Sequence, residues 1–195
     1  MAVLAITFTA CGPVRLANIT AMLPSLAAGA QPAMRWDKHP KTADWTQRTL
    51  AAVGRHDDAL ASRVPTDIAA WCPGYPTAPL QNRRAFWAGL LSAVAKYESS
   101  WNPRASGGGG RYIGVMQISP HTAAQFNCTA HSEKALKDGA ANLECAVEIM
   151  AVQVSRDGVV AGKGNRGIGR DWMPLRKSTN RAAMADWTSA QSYCQ

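Results

Sequence analysis

Glu98, within Glu98-Ser99-Ser100-Trp101-Asn102-Pro103, is the side chain of this sequence best placed to do chemistry. It closes a run in which Trp87, Leu90, Leu91, Val94 and Tyr97 recur at three- and four-residue steps, so an apolar helical stripe leads to a carboxyl group. Asn102-Pro103 then ends the helix, because proline turns its predecessor away from helical angles. A carboxylate in a last turn meets the negative end of the helix dipole, and apolar neighbours disfavour its charge further, so its pKa is expected to rise. A carboxyl that titrates near neutrality suits general acid and base catalysis. Standing alone, Glu98 would be read more simply as a surface glutamate. Two further segments set it apart: Gly114-Val115-Met116-Gln117-Ile118-Ser119-Pro120, a short loop later, and Asn142-Leu143-Glu144-Cys145-Ala146. Between Pro103 and Pro120 there is no Asp or Glu. A second carboxylate would have to come from elsewhere, such as Glu133, Asp138 or Glu144, and no motif supports any of them.

The elements that must position these groups read as helices. With 195 residues, 47% of them apolar, the chain suffices for one domain with a real core. Few stretches favour strands, so a mainly α fold is expected. A short helix is predicted over Thr42 to Val53 and a helical turn at Asp67 to Trp71, before the irregular Cys72-Pro73-Gly74-Tyr75-Pro76. The clearest helix runs from about Gln81 to Ser100. Gly107 to Gly110 reads as a slack loop and not a phosphate cradle, since no Gly-Lys-Ser/Thr follows. Arg111 to Ser119 is expected to be extended, and Ser119-Pro120 reads as an N-cap and first residue of a helix to about Phe126. Ser132-Glu133 starts another, Gly139 to Arg156 a long amphipathic one stopped by Gly158, and Thr179 to Ser189 the last. In outline, residues 1–30 form a signal-like or lipoprotein-like leader, 31–70 an N-terminal linker (31–40) with short helices, and 71–195 the main domain.

The leader reading rests on an apolar Met1 to Ala10, a second apolar stretch from Leu16 to Ala30, and the small residues Ala28-Gly29-Ala30, which suit signal cleavage. Phe8-Thr9-Ala10-Cys11 looks like an imperfect lipoprotein site, making Cys11 a candidate lipid anchor. Neither stretch reaches the roughly 20 residues needed to span a bilayer. Export to the periplasm or outer membrane is the expectation. Cys72, Cys128, Cys145 and Cys194 allow two disulfides in three pairings; Cys72 with Cys194 and Cys128 with Cys145 is preferred, and free buried thiols are the alternative. Paired Cys-x-x-Cys spacing and Cys/His clusters are missing, so neither a metal site nor a cofactor is expected. The net charge of +8 favours an acidic partner, but the basic residues are scattered from Arg15 to Arg181, and a solvated basic surface explains them as well. Nucleic acid is therefore not expected as a partner.

Taken together, the three segments resemble the soluble lytic transglycosylase (SLT) family. Its members carry a Glu-Ser-x-aromatic-Asn-Pro block, a Gly-Leu-Met-Gln-Ile-x-Pro block, and a helix introduced by Asn. The resemblance covers about Gln81 to Asp157 and is specific as a linked set. It implies a lysozyme-like single domain, related to the goose-type lysozymes, with a glycan-binding cleft, and peptidoglycan glycan strands as the partner. Glu98 would be the catalytic acid and base, with Ser99, Ser106, Met116, Gln117 and Asn142 at substrate-binding positions; Ser106 requires a one-residue shift. A monomer is expected, in wall turnover or attached to a cell-envelope or secretion assembly. One departure is that the family's Tyr-Asn-Ala-Gly block is replaced by Gly164-Asn165-Arg166-Gly167 and Asp171-Trp172, leaving Trp172 or Tyr193 to supply an aromatic platform. Trp101 and Ile118 are expected to pack. A lysozyme-type muramidase sharing Glu98, or a noncatalytic wall-binding protein, are the competing readings.

Overall fold

The computed structural model describes Met1, residues 31–40 and residues 42–195. The leader reading of residues 2–30, with Cys11 as a lipid anchor, lies outside the described residues. Gln31 to Gln195 form one unit, mainly helical. In chain order its helices are α1 (Thr42–Arg55), α2 (Leu80–Glu98), α3 (Pro120–Gln125), α4 (Glu133–Leu136), α5 (Gly139–Asp157) and α6 (Ser178–Ser189). A small hairpin of β1 (Ser106–Gly107) and β2 (Tyr112–Ile113) interrupts them after α2. Among the described residues no helix is long and apolar enough to cross a membrane.

Helix α2 organises the core. Every residue from Ala85 to Ala95 is buried, so the helix is covered on all sides and not along one stripe as its large residues suggest. The physical reason lies in the small residues between them. Ala85, Ala88, Gly89, Ser92, Ala93 and Ala95 let neighbours close in; a Cβ on Gly89 would overlap the Tyr193 hydroxyl. Beside this helix Tyr75, Phe86 and Trp87 pack edge to face with centroids 4.9–6.4 Å apart, and Trp87 Nε1 donates to the Tyr75 hydroxyl at 2.9 Å. Helices α1, α5 and α6 supply the surrounding walls.

Residues 31–40, expected as a linker, instead belong to the core. Met34 and Trp36 are buried, Trp36 Nε1 donates to Thr46 Oγ1 at 2.9 Å, and Arg35 N donates to Ser92 Oγ at 2.9 Å. Two aromatic-sized anchors in ten residues outweigh the prolines. The expected extended piece over Arg111 to Ser119 shrinks to Tyr112–Ile113, because the chain turns at Gly114 and comes back to bridge Ile113 with Ile118. Other local signals act as their chemistry dictates: Ser119 Oγ accepts from Thr122 N, Asp138 caps α5 through Ala141 N, and Gly158 leaves α5 at φ +67°.

Both preferred disulfides are present, Cys72–Cys194 with Cα atoms 4.6 Å apart and Cys128–Cys145 at 5.1 Å. They close loops of very different length, 122 and 17 residues. Loop-closure entropy gives the longer about 4 to 5 kcal/mol of stabilisation and the shorter about 3 kcal/mol. Denaturant unfolding should therefore show a larger loss for Cys72→Ala with Cys194→Ala than for Cys128→Ala with Cys145→Ala.

Candidate active site

The C-terminus of α2 is folded back sharply. After Ser99, both Ser100 (φ +51°) and Trp101 (φ +62°) adopt left-handed backbone, which side chains tolerate only when surroundings hold them there. The hold is visible: Ser99 N and Ser100 N donate to Ala95 O and Lys96 O, while Trp101 Nε1 reaches back to Ser92 O at 2.9 Å. Glu98 sits at this reversal, half-buried, and its carboxyl makes no hydrogen bond to protein among the described residues. Burial pushes its pKa up from 4.5 to about 7, and no neighbouring charge contributes.

A tight turn over Gly114 to Gln117 is latched beside it. Ser99 Oγ donates to Val115 O at 2.8 Å and accepts from Asn102 N at 3.1 Å, joining the helix end to the turn. Gly114 (φ +80°) is the required residue at the corner, because a Cβ there would overlap Leu136 O and the Asn142 amide. Asn142, fully buried at the start of α5, accepts from Met116 N at 2.8 Å and donates to Ile113 O and Leu136 O, both at 3.0 Å. Trp172 Nε1 donates to Met116 O at 3.0 Å from the other side. Gln117, itself at φ +49°, folds its amide onto Gly114 O at 2.9 Å.

Of the residues expected at the site, Glu98, Ser99, Gln117, Met116 and Asn142 are therefore brought together. Ser106 is exposed on β1 opposite Ile113, joined to the turn through the hairpin. Two of them need correction as direct sugar contacts. Met116 is fully buried, and all the hydrogen bonds of the Asn142 amide described above go to backbone, so these residues shape the turn from behind. Trp172 (2% exposed) and Tyr193 (4%) cannot serve as platforms either; the first clamps Met116 and the second donates its hydroxyl to Ala33 O at 3.2 Å. Sequence reasoning missed the Trp172 clamp, since nothing in a separation of 56 residues announces a hydrogen bond.

The alternative carboxylates are engaged elsewhere. Glu133 pairs with Lys137, Glu144 takes a two-pronged contact from Arg48 at 3.0 and 2.9 Å, and Asp138 caps α5. The surface carries a cavity of about 810 Å³ beside Trp45 and Lys137 and one of about 350 Å³ beside Arg48 and Glu144; Glu98 lines neither. No group of three His, Cys, Asp or Glu among the described residues could hold a metal ion.

With this geometry in view, the comparisons are specific. The family model for the transglycosylase SLT domain matches residues 78–183, over half the chain, and the protein belongs to that family. It is also similar to solved structures of Bd0314 DslA, a wild-type form (TM-score 0.75) and two mutants in which a glutamate is replaced by glutamine (0.76 and 0.74). Each is 26% identical, covering 85% of this chain and 99% of that chain. The fold is accordingly a mainly helical, lysozyme-like single domain of SLT type. No curated protein matches the sequence.

Two outcomes follow from the site. Folded Glu98 keeps its proton to about pH 7 whereas the unfolded chain releases it near 4.5, so the native state binds more protons in that window and loses stability as pH rises through it. Glu98→Gln should then be more stable than wild type at pH 8, by on the order of 2 kcal/mol, with the difference gone at pH 4, as read by denaturant unfolding at each pH. Asn142→Ala strands Met116 N and Leu136 O and leaves Ile113 O only its bond from Ile118 N, and calorimetry or denaturant unfolding should record a loss of about 2 to 4 kcal/mol.

Proposed function

We propose that this protein is a peptidoglycan lytic transglycosylase, which cleaves the β-1,4 bond between N-acetylmuramic acid and N-acetylglucosamine and closes a 1,6-anhydro ring. The observation that carries this reading is a single carboxyl, raised by burial to about pH 7, with no charged neighbour contributing. Glycosidases of the common type use two carboxyl groups, one as acid and one as base or nucleophile. Here Glu98 takes both roles in turn. Its protonated form gives a proton to the glycosidic oxygen as the bond to muramyl C1 breaks, and the substrate's own acetamido oxygen supports the positive centre left at C1. The resulting Glu98 carboxylate then removes the proton from the muramyl 6-hydroxyl, O6 bonds to C1, and the carboxyl is restored without consuming water. A pKa near the working pH serves donation and recovery equally.

Two disulfides support an oxidising compartment, and with it the periplasm or outer-membrane surface as the place of action. The peptidoglycan strand is the partner this reading requires; attachment to a larger envelope assembly and a lipid at Cys11 belong to the same proposal. A noncatalytic wall-binding role would leave the raised pKa of Glu98 without a use.

Mass spectrometry of fragments released from purified sacculi tests the reaction. Wild type should release anhydromuramyl ends, and Glu98→Gln should slow release on the order of 10³-fold. Reducing muramic acid ends would mean a muramidase instead. Because the starting enzyme must be protonated, kcat/KM should fall as pH rises beyond about 7.

A further inference from the structure

Tyr112 is the one exposed aromatic side chain among the described residues, at 42% exposure. Its position is built rather than accidental. Tyr112 pairs with Gly107 across the hairpin, so the two share a face, and the space that a Gly107 side chain would occupy is filled by Gln117 Oε1. On the next residue, Gly108 (φ +57°), a Cβ would come within 2.7 Å of the Tyr112 ring. The ring therefore lies against bare backbone, with the Gln117 amide alongside.

Tyr112 also lines a groove of about 500 Å³ with Arg111, Ser119, Pro120, His121 and Thr122. No carboxylate lines it, and neither Arg111 nor His121 is paired with an acid among the described residues. A chain of contacts links the Glu98 end of α2 to the hairpin that carries Tyr112. Glu98 adjoins Ser99, Ser99 holds Val115, and Gln117 of the same turn covers Gly107.

We infer that this groove is an outer sugar subsite, in which a pyranose ring of the glycan strand stacks on Tyr112 while its acidic substituent, a lactyl or stem-peptide carboxylate, meets Arg111 and His121. The proposal rests on the glycan-cleaving reading above. Aromatic rings hold sugars by their C–H faces, amides such as Gln117 hydrogen-bond hydroxyl or acetamido groups, and a guanidinium without an acid beside it, with an imidazole as a second N–H donor, suits an anionic group. Tyr112 lies outside the three linked sequence blocks.

Titration calorimetry with the Glu98→Gln protein and two defined probes decides it: chitohexaose, which is neutral, and purified glycan strands carrying stem peptides. Adding Tyr112→Ala should weaken chitohexaose binding about tenfold, and Tyr112→Phe should retain it. Adding Arg111→Ala with His121→Ala should weaken the peptide-bearing strands more than chitohexaose and flatten their salt dependence. Unchanged affinity in Tyr112→Ala overturns the stacking platform; equal effects of the double change on both probes overturn the anion contact. Wall cleavage retained by Glu98→Gln defeats the catalytic reading, whereas loss of cleavage with unaltered binding in the Tyr112 and Arg111/His121 variants defeats the subsite alone.

Discussion

Irregular backbone can lie against a protein core only if its amides and carbonyls find partners, and the turn over Gly114 to Gln117 meets that condition chiefly through Asn142. One amide takes Met116 N and satisfies Ile113 O and Leu136 O, so hairpin, turn and the start of α5 are fixed by a single side chain. Trp172 completes the frame by donating to Met116 O. Because Ser99 is bonded to the same turn, the position of the α2 terminus is set by these contacts too. Glu98, the last residue of that helix, is thereby held where burial raises its pKa to about 7.

Comparison with the other acids of the molecule sharpens this point. Asp157 is drawn down to about 2, first by Arg170 and with help from Gly167 N, while Asp67 accepts from three successive backbone amides at Val160, Ala161 and Gly162. Glu144 has Arg48. Each of these carboxylates has hydrogen-bond donors brought to it. Glu98 alone is raised to about 7 by burial with no donor arranged around it, which leaves it free to exchange a proton with something that is not protein.

Local rules carried much of this from the sequence. Ser119, Asp138 and Gly158 act where cap and stop chemistry places them, while α2 ends at Glu98, two residues before the expected Ser100, as the backbone of Ser100 and Trp101 turns left-handed. Glu98 was legible for the same reason, since its neighbours in sequence are also its neighbours in space. What could not be read is long-range. Alanine, serine and glycine on α2 carry little hydrophobic signal, yet they allow the close approach that buries the helix on every side. Met34 and Trp36 sit among prolines and polar residues, and only the pocket awaiting them reveals that they are anchors. Met116 and Asn142 stand in the right motif, but which way they face is decided by Trp172 and α5, far along the chain.

The Cys72–Cys194 bond, reinforced where Gly74 N donates to Cys194 O and Thr188 Oγ1 to Trp71 O, makes a covalent ring of everything between those two cysteines. Both α2 and the glycine-rich hairpin lie on that ring. A protease that severs it once, at the open Gly109 tip for example, produces a nicked circle whose halves stay tethered, so the fold can survive a cut that would split an unbridged chain in two.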